Sequence, residues 1–231
     1  SYGLFITTTP ATITSYGEES GEFTATIPAN TRRIHFIANQ NMTDFQEDEF
    51  RNKSEADVIA LLEGSSGMMI YWARFACDAN NEESIDQQLA KNPNIIMIRN
   101  QAKITIDNPT GNGYLVVTGF TAYNTNAFGT VAPYHPTKGW VWSSNADVEP
   151  FVTLPANDAK LSDIQDVQDI SQNPELYVFE CENSSEDPVS VIIRGHLPGE
   201  SEELYYRVML IKANGEQELI RRNHHYMFHI A

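Results

Sequence analysis

The chain has 231 residues, 41% of them apolar and 20% charged, the proportions of a folded protein with room for one large domain or two ordinary ones. Thirty-one acidic residues against 15 basic ones leave a net charge of −16, which repels phosphate backbones and anionic lipid and argues against nucleic acid as a partner. No apolar run approaches the roughly 20 residues that span a bilayer, and no basic-then-apolar leader stands at Ser1, so the expected form is a mature product or fragment that is not membrane-spanning.

Along the chain, alternation of apolar and polar residues first appears at residues 22–27 (EFTATI) and 33–37 (RIHFI), the period of half-buried strands. The run KSEADVIALLEG then predicts a helix. Ser54 caps its free amides, Asp57 three residues later completes a capping box, and Gly64 ends it. Strand patterns return at 68–75 (MMIYWARF), a short helix follows at 82–91 (EESIDQQLAK), and further strand patterns occupy 95–106 (IIMIRNQAKITI) and 114–123 (YLVVTGFTAY). Periodicity is weakest across 124–150, where NTNAFG, APYHP and WSSNADVEP supply turn residues. A domain boundary is expected near 125–135, with a linker near 155–175 as the second choice. Residues 139–143 read as a strand, LSDIQDVQDIS (161–171) as a third short helix, and 176–182, 189–194 and 204–212 as strands. Asn214-Gly215 favours the positive φ angles of a type I′ hairpin, after which LIRRNHHYMFHIA (219–231) forms a last strand. Many short strands with helices as inserts predict a mainly β protein of β-sandwich domains. They divide as 1–130, with the helical inserts, and 131–231.

Chemistry is hard to find. His224, His225 and His229 cluster near the end, and His225 and His229 have the spacing of two zinc ligands on a helix, but the glutamate base of that motif is missing. Tyr226, Phe228 and Ile230 alternate with His225, Met227 and His229, a strand pattern that sets the two histidines roughly 13 Å apart, too far to share one ion. No metal or cofactor is expected. No nucleophile elbow or phosphate loop is present, and acidic runs such as Glu47-Asp48-Glu49 read as solvated surface. Cys77 and Cys181 fall in or just after apolar strand patterns; two buried thiols are expected ahead of a disulfide, and a reactive Cys–His pair ranks below both. The residues point away from an enzyme, with hydrolase as the last-ranked reading. Trp140 and Trp142 share a strand face, and if exposed they could stack on sugar rings; burial at one end of a core is favoured.

Several phrases in order resemble the fimbrillin family, the type V pilus subunits and fimbria-associated adhesins of Bacteroides-like bacteria. They are IPANTRRIHFIAN (27–39), SEADVIALL (54–62), MMIYWARF (68–75), IIMIRNQAKITI (95–106), VVTGFTAYNTNAFGTVAPY (116–134), YVFECENSS (177–185), SVIIRG (190–195), YYRVMLI (205–211) and LIRRNHHY (219–226). The family's RNHxY-like phrase maps onto Arg222, Asn223, His224, His225 and Tyr226. The resemblance implies two tandem sandwiches of transthyretin-like pilin architecture and export as a secreted lipoprotein to the outer membrane and cell surface. It also implies assembly with other pilin subunits by donor-strand exchange, in which an unpaired edge and an apolar slot accept a strand from a neighbour. The implied role is structural subunit or adhesin of a fimbrium in cell adhesion, with host or bacterial surface ligands. The alternative is a non-polymerising surface module that binds glycan or protein. Family members carry a lipidated cysteine and processing site before these strands and continue past the RNHxY strand, so a domain fragment or an atypical subunit is expected.

Overall fold

The computed structural model describes residues 3–18, 20–41, 43, 45–65, 68–77, 84–107, 114–135, 139–140, 167–172, 174–181, 183–186 and 188–230. In chain order the strands are β1 (Thr12–Tyr16), β2 (Gly21–Thr24), β3 (Arg33–Ala38), β4 (Glu63–Ser65), β5 (Tyr71–Ala76), β6 (Ile98–Arg99), β7 (Gln101–Asp107), β8 (Val116–Tyr123), β9 (Phe128–Thr130), β10 (Tyr134–His135), β11 (Gly139–Trp140), β12 (Gln168–Asp169), β13 (Leu176–Phe179), β14 (Ser190–His196), β15 (Leu204–Met209) and β16 (His225–His229). Three short helices interrupt them: α1 (Glu47–Phe50), α2 (Glu55–Ala60) and α3 (Ile85–Lys91). The protein is mainly β, of the β-sandwich class.

Two sheets make the sandwich. One has the order β12-β8-β14-β15 and the other β13-β7-β16. Strand alternation turns Phe120 and Ala122 of β8 and Val191 and Ile193 of β14 inward, where they meet Ala102 and Ile104 of β7 and Leu176 and Val178 of β13 in one buried cluster. Gly119 has a packing reason. A Cβ there would lie 2.7 Å from both the Gln168 carbonyl and Val167 Cγ1, so only glycine lets β12 close on β8. β16 enters last, parallel to β7, pairing His225 with Lys103 and His229 with Asp107.

A second cluster gathers Phe50, Ile59, Leu62, Ile70, Trp72, Ile98, Val131 and Ala132 under the sheet β3-β5-β6 and the pair β4-β9. Both helices expected before residue 92 form, and each has a complete capping box. Ser54 accepts from the Asp57 amide while Asp57 accepts from Ser54, and Ser84 and Gln87 do the same for α3.

Four sequence expectations change. Gly64 does not end α2, which is capped at Leu61; it lies in β4 against Gly129, where a Cβ would sit 2.8 Å from Asn100 Nδ2. The run 95–106 is two strands. β6 pairs with β5 and β7 with β13, and the break at Asn100 carries the chain from one cluster to the other. Within 161–171, residues 161–166 lie outside the described part, and residues 167–171 are not α-helical: Gln168–Asp169 join the edge of β8 and Ile170–Gln172 form a 3-10 turn, started by the Asp169 side chain accepting from the Ser171 amide. The Asn214-Gly215 loop is not type I′. Only Gly215 takes a positive φ, +87°, after a turn closed by its amide on the Lys212 carbonyl, while Asn214 Oδ1 accepts from the Glu216 amide.

Relative to the 130/131 line expected from turn content, β7 and β8 lie on its N-terminal side and pair with β13, β14 and β16 on its C-terminal side. Val131 and Ala132 pack with Phe50 and Trp72.

Candidate functional site

Three features are candidates for function. The first is the ribbon of β1 and β2, which among the described strands pair only with one another, with every residue of both strands exposed. Ile13 is 68% and Tyr16 88% accessible, while Phe23 reaches the body of the protein, its ring 5.6 Å from that of Phe36.

Next to it in sequence, residues 4–8 form a strap over the helices. The Phe5 amide donates to the Lys53 carbonyl at 3.0 Å, Leu4 bridges Ser54, and the Phe5 ring meets Phe50 edge-on at 5.3 Å. Glu47 accepts from the Thr8 amide at 2.6 Å and from the hydroxyls of Thr7 and Thr8. Those bonds, the Thr8 amide first, hold its carboxyl below the usual carboxylate range.

The third is the stretch LIRRNHHYMFHIA. Arg222 is 4% exposed and lies between the two clusters. Its Nε donates to Glu180 Oε2 at 2.7 Å, Nη1 to the Thr130 and Val131 carbonyls at 3.2 and 3.1 Å, and Nη2 to Thr130 Oγ1 at 2.6 Å. The guanidinium thus ties the end of β13 to the end of β9. Beside it Gly129 lies against the buried Phe179 ring, so close that a Cβ would fall 2.2 Å from Phe179 Cδ1. Asn223 takes the left-handed φ of 58°, which asparagine tolerates, and its Oδ1 accepts from the Arg99 amide. Tyr226 anchors the start of β16: its hydroxyl donates to the Leu219 carbonyl at 2.6 Å and accepts from the Arg221 amide at 3.0 Å, a tyrosine-corner arrangement. Burial first pushes that hydroxyl up to about 12.

Each histidine of the stretch looks to a different partner. His224 Nδ1 meets the Arg222 carbonyl, His225 Nε2 meets Thr105 Oγ1, and His229 Nδ1 meets Asp107 Oδ2 at 2.9 Å. His225 and His229 both lie on the exposed face of a strand, while Tyr226 and Phe228 turn inward. Among the described residues no group of three or more His, Cys, Asp or Glu side chains is placed to hold a metal ion.

A charged cluster sits where α2 crosses β3 and β5. Glu55 accepts from Arg74 Nε at 2.6 Å and Nη2 at 3.3 Å, pairs with Arg33 at 3.2 Å, and lies 2.9 Å from His35 Nε2. Trp72 Nε1 donates to His35 Nδ1, and an indole N–H can only donate, so the imidazole carries its proton on Nε2 and gives it to Glu55. Burial lowers the His35 pKa in spite of Glu55. For Glu55, burial acts upward but is outweighed by the bonds from His35 and Arg74, and its pKa falls to about 2. The cluster ties α2 to β3 and β5.

Trp140 pairs through its backbone with Tyr134 in β11, while its side chain and all of Trp142 lie outside the described residues. Cys77 and Cys181 are both buried thiols, and no disulfide joins them. Sequence reasoning misses Arg222 and Glu55 as organising groups. Two adjacent arginines in an alternating apolar stretch are the only signal for Arg222; Glu55 looks like any first-turn helix acid.

The described residues define a mainly β sandwich protein with a protruding ribbon, and no described helix is long and apolar enough to cross a membrane. No family model matches the chain, and no curated protein matches it. Solved structures of similar shape include a candidate cell adhesion protein from Parabacteroides distasonis. It is 14% identical with a TM-score of 0.48, the match covering 90% of this chain and 71% of that one. A candidate cell adhesion protein from Bacteroides eggerthii is 10% identical with a TM-score of 0.49, covering 90% and 70%. One from Bacteroides thetaiotaomicron is 11% identical with a TM-score of 0.39, covering 96% and 77%.

Proposed function

We propose that this chain is a cell-surface fimbrial protein of the fimbrillin type, a structural subunit or adhesin, and that it joins its neighbours by exchanging β-strands. In this reading it is exported to the outer membrane as a lipoprotein precursor and works mechanically, without turnover, while its two packing clusters are the two tandem sandwiches of the family. The ribbon of β1 and β2 is the observation that carries the proposal. A two-stranded ribbon is marginal by itself in water, and although Phe23 packs on Phe36 this pair keeps Ile13 and Tyr16 exposed. Such a ribbon is suited to a slot or edge on another subunit. The histidines support the mechanical reading because each is engaged with its own structural neighbour.

The test is assembly. Purified full-length protein, processed by the cognate protease, is expected to form filaments visible by negative-stain microscopy and ladders on gels without boiling. Deleting residues 12–24 is expected to stop both while leaving the sandwich folded. Filaments that grow equally well without the ribbon would remove the carrying observation. A chain that stays monomeric while binding a sugar or surface protein would favour the non-polymerising module, with Trp140 and Trp142 the first residues to substitute.

A further inference from the structure

β15 forms the outer edge of the four-stranded sheet and pairs with β14 alone among the described strands. Edge strands in soluble proteins are usually short, bulged or blocked by proline, and β12, at the opposite edge of the same sheet, is only two residues long. β15 runs for six residues with no proline. Its faces follow from the register. Val208 lies opposite the buried Val191 and Tyr206 opposite the buried Ile193, so Tyr205 and Arg207 turn to the outer face.

Tyr205 is 62% exposed. The Arg207 guanidinium is fixed: Nε donates to Ser190 Oγ at 2.9 Å, Nη2 reaches the Pro188 carbonyl at 3.4 Å, and the group lies 5.2 Å from the centre of the Tyr123 ring. No described carboxylate pairs with it, although acids outnumber bases by 31 to 15 in the chain. Two residues before Tyr205, Glu203 lies on the same face, its carboxylate accepting from Thr118 of β8 at 2.9 Å and 3.5 Å from Arg194 of β14, contacts that a partner's Arg207 would have to share. The outer face of the edge therefore reads Glu203, Tyr205, Arg207, which is complementary to itself when reversed.

We propose that a second copy of this chain docks on β15, antiparallel about a two-fold axis at Tyr205. The two four-stranded sheets then become one continuous sheet. In that register Arg207 faces the partner's Glu203 on both sides of the axis, the tyrosines at 205 face one another, and Leu204 faces the partner's Tyr206. Val208 then faces the partner's Glu202, so the match rests on the outer face and on the pair Leu204 and Tyr206. Sliding by two residues sets Arg207 against tyrosine or serine, and sliding by one turns the outer face against the inner one. The contact is isologous and closes after two copies, so it cross-links laterally and does not extend a filament. It is independent of the strand exchange proposed above.

Light scattering or sedimentation on the intact chain, with far-UV circular dichroism to verify folding, tests this. The expected mass is twice 26.0 kDa. Arg207→Glu and Glu203→Lys each place like charges opposite one another twice per dimer and are expected to weaken self-association roughly tenfold. An equimolar mixture of the two variants again puts opposite signs face to face and is expected to recover the dimer. A wild-type chain of 26.0 kDa at every accessible concentration overturns the proposal. So does a dimer that neither variant weakens, a mixture no stronger than its components, or an edge occupied only by an acidic strand of another protein.

Discussion

The sandwich around Phe120 and the ribbon of β1 and β2 are built from the same alternation of apolar and polar residues, and they differ in what lies across from them. In the sandwich, Phe120, Val191 and Ile193 are essentially inaccessible because β7 and β13 cover them. Burying side chains of that size contributes roughly 1.5–3 kcal/mol each. In the ribbon, Ile13 and Tyr16 face water and contribute almost nothing of that kind. The contrast teaches that a strand pattern specifies a face to be covered without specifying by whom. Where the chain supplies the cover, the pattern becomes stability; where it does not, the apolar side chains stay in water.

The comparison can be broken by substitution, most severely in the sandwich. Phe120→Ala should cost about 4 kcal/mol in chemical denaturation, since Phe120 is wholly buried. Arg222→Ala should come next, at about 3 kcal/mol, because it leaves Glu180 buried without its counter-charge. The double replacement Arg222→Met with Glu180→Leu should recover more than half of that loss; if it recovers none, hydrogen bonds to Thr130 and Val131 matter more than the charge pair.

Acid sensitivity of the β3-β5 region sharpens the comparison further. Folded Glu55 titrates near 2 against an ordinary 4.5, so its contribution is complete above pH 4.5 and is lost as the pH falls toward 2. His35 is held below 6.5, so the folded imidazole stays neutral where the unfolded one takes up a proton, and stability also declines as the pH drops below 6.5. Both trends run in the same direction. Glu55→Gln should destabilise by about 2 kcal/mol near pH 7 and flatten the acid limb of a stability–pH curve, whereas an unchanged curve would place the acid sensitivity elsewhere. At the small end, Ile13→Thr with Tyr16→Ser should leave denaturation midpoints within about 0.5 kcal/mol of the parent. The same pair should abolish filament formation, the readout that separates a binding ribbon from an incidental one.

Local rules make much of the fold readable. Ser54 and Ser84 sit at true helix starts because a cap is a contact of three residues' reach. Tyr226, Phe228 and Ile230 pack toward the core as their alternation demands, and that same alternation separates His225 from His229. The rules fail where a distant neighbour decides the outcome. Gly64 reads as a helix stop, but its smallness serves an approach to Asn100; Asn100 interrupts a run that reads as one strand pattern because β6 and β7 belong to different sheets. The residues after 167 read as helix from an apolar stripe, yet the open edge of β8, kept accessible by Gly119, draws residues 168–169 into a sheet.

By itself, then, the sequence determined the acidic surface, the mainly β class, the capped helix starts and the two faces of β16. All of these come from composition or from contacts a few residues apart. Only the tertiary structure decided that β7 and β8 join β13, β14 and β16, that β15 pairs with β14 alone among the described strands, and that Arg222 is buried against residues 42 and 92 positions away. The cost of burying a guanidinium is met there by a carboxylate, two carbonyls and a hydroxyl brought from separate strands. No periodicity around the turn that holds Arg222 encodes their arrival.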